Sequence, residues 1–286
     1  MKSPFLSWSR LWPLLLILWT TQAALTQNNT LRLGSSALSP PERPLSRYLE
    51  LGFGATLHRL QDPAVSPMIY TGGPIAIELG FEKRKPHSIS RFALSGDIGR
   101  LDSKNATELR PMASNYFQAD LSYQYLRRLP ALSANRFTWF LGGQYRWHNS
   151  IRLTPQNDTG FITFLIANSI SVAARGETAL QLFGRQVELG WIGSLPLLSH
   201  VIRPSYLNLY NYLDPEHDWL QERLEASEIL TFNRFPGFQS RLEFTYPIAN
   251  GNQLRFAYDW GFYHYNGSRR VNAGRHGFTV GIRVRM

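Results

Sequence analysis

The last eleven residues, His276 to Met286, alternate strictly. Phe278, Val280, Ile282, Val284 and Met286 share one parity, and Thr279, Gly281, Arg283 and Arg285 share the other. Successive side chains of a β-strand point to opposite faces, so the segment has one apolar and one cationic face. A terminal strand with arginines on one side and an apolar end fits a water-soluble core badly. It fits a barrel wall with lipid outside and a polar lumen inside.

The same period recurs along the chain in runs of about ten residues, the length that crosses a bilayer as a tilted strand. Residues 47–58 set Leu49, Leu51, Phe53, Ala55 and Leu57 against Glu50, Gly52, Gly54 and Thr56. Similar alternation fills 73–83, 89–100, 115–127, 136–148, 238–247 and 253–262. Residues 160–182 read as one long strand kinked near Arg175-Gly176. A turn at Gly184-Arg185 leads to another strand reaching about 203. Asn250-Gly251-Asn252 carries a strong hairpin signal.

Short connections (83–88, 128–135, 184–185, 249–252) alternate with longer ones (59–72, 101–114, 149–159, 204–236, 266–274). Outer-membrane barrels have short periplasmic turns and long extracellular loops. The expected fold is therefore all-β: a transmembrane antiparallel barrel of about ten strands, or twelve if 198–236 hides another pair. Both termini would be periplasmic. Aromatic residues near the strand ends, such as Phe137, Trp139, Tyr145 and Trp147, read as two interfacial girdles. In the longest loop, Asp214-Pro215 offers an N-cap and a first-turn proline, so 215–228 is expected to form a short amphipathic helix.

The N-terminus has the pattern of a secretory signal. Lys2 and Arg10 precede an apolar run from Leu11 to Trp19, and Thr21-Gln22-Ala23 offers a cleavage site after Ala23. Residues 1–23 are expected to be removed. Residues 24–45, rich in proline, are then a periplasmic lead-in to a barrel over 46–286. The chain has no cysteine, which excludes thiol catalysis and Cys-type zinc sites. The formal charge of +10 could indicate nucleic acid. The signal sequence and the scatter of arginines along strands argue instead for lumen, rim and lipopolysaccharide-facing roles.

The lumen-facing parity collects both signs of charge. It includes Glu50, Glu78, Asp97, Asp120, Arg146, Arg241, Glu243, Arg255, Asp259 and Arg283, with Glu82, Arg91, Glu188 and Arg285 beside them. In a narrow barrel such groups pair and fill the interior, because an unpaired buried charge is costly. That composition indicates a structural or accessory barrel, compatible with restricted passage of small solutes. No cofactor motif and no His-x-x-x-His metal spacing occurs.

One segment points toward chemistry. Gly261-Phe262-Tyr263-His264-Tyr265-Asn266-Gly267 resembles the His-x-Ser-Asn segment of lipid A deacylases and the related segment of outer-membrane phospholipases. The resemblance implies a lipid hydrolase of the outer leaflet with His264 as its base. Asn266 stands where the serine should be, and Ser268 has the right parity but lies in the loop. A histidine without a hydroxyl partner cannot run that mechanism. Omptin-type proteolysis would need Asp-x-Asp and Asp-x-His pairs, which the sequence lacks. Taken whole, the chain resembles the small outer-membrane β-barrel proteins of Gram-negative bacteria, of the Bacteroidota type. That resemblance rests on hairpins, girdles and the terminal strand, and it implies no activity. The expected partners are outer-membrane lipids, lipopolysaccharide and the barrel-assembly machinery. Loop 204–236 is a further candidate, as a surface-binding element.

Overall fold

The computed structural model describes residues 45–63, 66–103, 112–133, 137–155, 162–182, 184–203, 225–267 and 270–286. The described chain forms one antiparallel sheet of β1 (Ser46–Asp62), β2 (Ser66–Gly72), β3 (Ile75–Lys85), β4 (Ser88–Ser103), β5 (Ala113–Arg128), β6 (Phe137–Leu153), β7 (Ile162–Leu182), β8 (Arg185–Ile202), β9 (Ser227–Thr231), β10 (Gly237–Pro247), β11 (Gln253–Tyr265) and β12 (Val271–Arg285). Two pairs lie end to end. β2 and β3 both pair with β1 and β4, and β9 and β10 both pair with β8. Twelve strand segments therefore make ten staves, and β1 pairs with β12 to close the cylinder. Among the described residues no helix is long and apolar enough to cross a membrane, and the wall itself is built of strands.

The staves whose facing the sequence assigns obey that parity. Leu51, Phe53, Ile77, Leu94, Ile98 and Phe278 lie exposed on the outside, where a soluble protein would keep polar groups. Their neighbours Glu50, Glu78, Glu82, Asp97 and Thr279 are buried inside. Glycines make room for that interior. A Cβ on Gly52 would sit 3.1 Å from the Arg255 guanidinium, and one on Gly80 would sit 3.0 Å from the Glu50 carboxylate. At the β10–β11 hairpin, Asn250 and Gly251 both adopt positive φ (59° and 75°), as a tight two-residue turn requires.

Several boundaries differ from the sequence reading. Residues 59–62 and 66–72 are wall rather than loop. β1 runs on to Asp62, and β2 returns with Tyr70 opposite Leu60. The irregularity expected at Arg175-Gly176 sits elsewhere. Ile170 pairs with Leu198 and Ser171 with Pro196, so Leu197 is an extra residue in β8. Proline lacks the ladder N–H, and strands accommodate it at such bulges. The expected helix 215–228 mostly lies outside the described residues. Its end is corrected, because Ser227 and Glu228 begin β9, opposite Ile202 and Val201. Residues 1–44, the signal and lead-in, also lie outside the described residues, as does most of loop 204–236.

Candidate functional site

The interior divides into three levels along the barrel. At the end with the short turns, charged side chains from eight of the ten staves interlock. Arg91 of β4 donates through Nη2 to Glu50 (2.9 Å) and Glu78 (3.0 Å), and through Nη1 to Glu243 (2.9 Å). Arg255 reaches Glu50 at 2.7 Å, and Arg283 Nε lies 2.8 Å from the same carboxylate. Arg175 binds Glu82 and Glu177, Arg84 binds Glu82, Glu177 and Glu188, and Arg241 binds Glu78, Glu243 and Asp259. No guanidinium here faces the interior alone, which is how a low-dielectric space tolerates so many ions. A small apolar cluster of Ile89, Leu126, Phe140 and Ala173 lies in the same half.

Toward the loop end the lumen turns largely apolar, apart from buried polar groups that include Asp62, Arg152 and Arg203. Leu60, Tyr70, Leu101, Leu165, Val201, Leu230, Phe235, Tyr265 and Val271 form one buried cluster. All but Phe235 come from strands, on the inward parity. This corrects the expectation of a polar lumen throughout. Part of its signal lies in residues 59–72, 101–103 and 266–271, which fall within the connections 59–72, 101–114 and 266–274 of the sequence reading and carry no facing there.

Between the two levels lies a cavity of about 170 Å³. Its lining includes Ser95, Ser122, Gln124, Gln144 and Ser194, with Ala93 and Gly261 giving space. Two histidine–aspartate pairs stand near its loop-end side. His58 Nε2 meets Asp97 at 2.8 Å, and Asp97 also accepts from Arg275 at 2.7 Å. His148 Nδ1 meets Asp120 at 2.9 Å, and Asp120 also accepts from Arg146 at 2.8 Å. The Tyr116 ring packs tilted against His58 with ring centroids 4.8 Å apart, and its hydroxyl donates to Gln118, which donates to Asp120. One ring contact and two hydrogen bonds thus link one pair to the other. Among the described residues, the buried His148 Nε2 has no hydrogen-bond partner.

The predicted interior residues, Arg285 excepted, are therefore inside but not all together. Glu50, Glu78, Arg241, Glu243, Arg255, Asp259 and Arg283 join the turn-end lattice. Asp97, Asp120 and Arg146 belong to the histidine pairs instead. Arg285 lies exposed at the rim, its backbone N–H donating to Asn252. Missed altogether were His58, Arg84, His148, Arg152, Glu177, Arg203 and Arg275. His58 continues the parity of Thr56, and His148 that of Arg146, so extending each alternation by one step would have found them. The short-range search for Asp-x-His could not, because both pairs bridge strands. Asp120 and His148, for example, are register partners of β5 and β6.

His264 lies on the outward parity, as expected. The partner described for its Nδ1 is Asn272 on β12, and no serine, threonine or carboxylate hydrogen bond to it occurs among the described residues. Ser268 lies outside the described residues. The described wall thus gives His264 an amide neighbour and no nucleophile.

No family model matches the chain, and no curated protein matches its sequence. Solved structures do. The outer membrane protease OmpT of Escherichia coli superposes with a TM-score of 0.50 at 9% identity, covering 86% of this chain and 98% of that one. Neisserial surface protein A aligns with a TM-score of 0.31 at 10% identity, over 82% and 96% of the two chains. The attachment invasion locus protein Ail of Yersinia pestis gives 0.27 at 8% identity, over 85% and 100%. At these identities the first match bears on fold alone. The fold is that of an outer-membrane β-barrel.

Proposed function

We propose that the chain is an integral outer-membrane β-barrel of structural or accessory role, with its lumen closed to free flow at both ends. The observation that carries this reading is the turn-end lattice. A single guanidinium, Arg91, is held by carboxylates of three other staves, and Arg255 and Arg283 share Glu50 with it. Side chains locked this way fill the section of a ten-stave barrel, which is narrow to begin with. The apolar outer belt supports residence in lipid, and the N-terminal sequence supports export from a Gram-negative cytoplasm by a signal peptide. Outer-membrane phospholipid and lipopolysaccharide are then its surroundings, and the barrel-assembly machinery its partner during insertion. Any passage is restricted to solutes small enough to use the central cavity. Reconstitution of the purified protein in planar bilayers tests this. Low or absent conductance is expected, and a large stable conductance refutes the closed lumen.

A second reading is favoured by one observation, the unpartnered Nε2 of His148. Asp120 orients the ring through Nδ1, and the ring borders a polar cavity. That is the arrangement of a general base held by a carboxylate. The structural neighbour named as a protease lends the reading no more than its fold. Incubation with peptide, phospholipid and lipid A substrates tests it. Hydrolysis lost in His148→Ala would establish it, and hydrolysis lost in His264→Ala would instead restore the outer-leaflet hydrolase. Intact substrates throughout leave the non-enzymatic reading.

A further inference from the structure

Among the described residues, carboxylates equal or outnumber arginines in the turn-end lattice and around both histidine–aspartate pairs, but not at the loop-end mouth. There two guanidiniums share one carboxylate. Arg203 Nη2 lies 2.6 Å from Asp62 Oδ1, and Arg152 Nη2 lies 3.4 Å from Asp62 Oδ2. All three side chains are nearly buried, with 3–6% of each exposed. Arg152 Nε, Arg152 Nη1 and Arg203 Nε have neither a hydrogen bond nor an ion pair in the described structure. Glu228, which lies opposite Val201, is taken up by Arg234 and Tyr265. Stacking over the Tyr70 ring, 4.9 Å from the Arg152 guanidinium carbon, offsets part of the cost. It satisfies no N–H.

A buried cluster of net charge +1 with three orphaned donor nitrogens is unstable unless something neutralises it. Beside it is a small cavity of about 20 Å³, lined by Asp62, Arg152 and Arg203 together with Ser150, Thr163 and Tyr116. Holding one water takes roughly 10–15 Å³ of such volume, so there is room for one small species. The lining offers guanidinium and hydroxyl donors. Its single carboxylate is already engaged by both arginines.

We infer that the loop-end mouth holds one halide-sized anion, chloride in the usual surroundings, between Arg152 and Arg203 above the apolar cluster. The anion completes the charge balance that Asp62 leaves unfinished and accepts from the orphaned nitrogens. It also joins β6 to β8, because Arg152 and Arg203 come from the loop ends of those staves. The site is independent of whether the lumen conducts or catalyses.

Chloride-35 NMR on the full mature chain, refolded in detergent micelles, tests this. Saturable excess line broadening is expected. Arg203→Gln and Arg152→Gln should each weaken it about tenfold or more, the scale of one lost charge-assisted hydrogen bond. Asp62→Asn works in the opposite direction. It removes the competing carboxylate, so chloride should bind more tightly. Absence of saturable broadening in the wild type overturns the site. So does broadening unchanged in an arginine variant that still shows the heat-modifiable migration of a folded barrel. If neither arginine variant folds, Asp62→Asn decides, and affinity equal to or below wild type overturns the proposal.

Discussion

Glu50 and Arg283 face each other across the seam that closes the barrel. They are register partners on β1 and β12, and Arg283 Nε lies 2.8 Å from Glu50 Oε1. Glu50 also accepts from Arg91 and Arg255, so one carboxylate serves three guanidiniums. Glu50→Gln should therefore cost more than a single surface pair. About 3–5 kcal/mol is expected, because three buried cations lose a counter-charge together. The double variant Glu50→Gln/Arg283→Met removes one of those cations as well. Its loss in urea unfolding from liposomes should fall short of the sum of the single losses by about 1 kcal/mol or more. Strict additivity would mean that the two residues are not coupled.

What was legible in the sequence, and what was not, follows from the range of each interaction. Alternation is local, so Leu51 and Glu50 could be assigned to opposite faces from neighbours alone, and the ten-stave count followed. The Asn250-Gly251 turn was legible for the same reason, since positive φ at two successive residues leaves few residue choices. The bulge at Leu197 was not, because it exists only relative to β7. Nor were the pairs His58–Asp97 and His148–Asp120, whose members are 39 and 28 positions apart. Membership of the lumen could be read, while partnership needed the register. The apolar cluster at the loop end was missed because strands were ended at the expected membrane edge. Leu60, Tyr70 and Leu101 lie on segments that continue past it.

Leu121 and Ser122 are adjacent on β5 and point in opposite directions. Leu121→Arg places a charge against lipid near mid-depth, at an expected cost of roughly 2–4 kcal/mol. Ser122 lines the central cavity, where a longer polar side chain has space and amide neighbours. Ser122→Arg should therefore fold into liposomes with the smaller loss. Equal losses, or the reverse order, would show that the facing of β5 is wrong.

The seam also depends on the last residues. Val284 pairs with Leu49, Arg285 with Tyr48, and the Met286 N–H donates to the Arg47 carbonyl at 3.0 Å. Removing residues 284–286 strips these pairs and the end of the apolar face that resembles an assembly signal. The truncated chain should lose heat-modifiable migration in outer-membrane fractions. Normal assembly would show that neither the pairs nor the signal is needed.

Leu197 offers a test of register rather than of side-chain chemistry. The residue is exposed, so Leu197→Ala should change stability by less than about 1 kcal/mol. Deleting it removes the bulge. Ser171 already pairs with Pro196 and Ile170 with Leu198, so the shortened β8 alternates without a break and Ser199, Val201 and Arg203 keep their inward facing. The deletion should therefore fold as fully as Leu197→Ala. Loss of folding on deletion alone would place the extra residue elsewhere, because removing a residue from a regular stretch turns every later side chain to the opposite face.

Two closures in series make a specific prediction for conductance. Neutralising one member of the turn-end lattice, Arg255 or Asp259, frees space there and would open a barrel sealed at that level alone. The apolar cluster around Tyr70 and Phe235 remains at the other end, however, and the tighter of two resistances in series sets the current. Arg255→Ala by itself should leave planar-bilayer conductance close to wild type, and so should Tyr70→Ala. Combining Arg255→Ala with Tyr70→Ala and Phe235→Ala should raise conductance by more than the two separate increments together. If Arg255→Ala alone opens a stable channel, the apolar cluster is not a seal, and the lattice alone closes the lumen. If the combined variant folds and still does not conduct, the closure lies in residues outside these two levels.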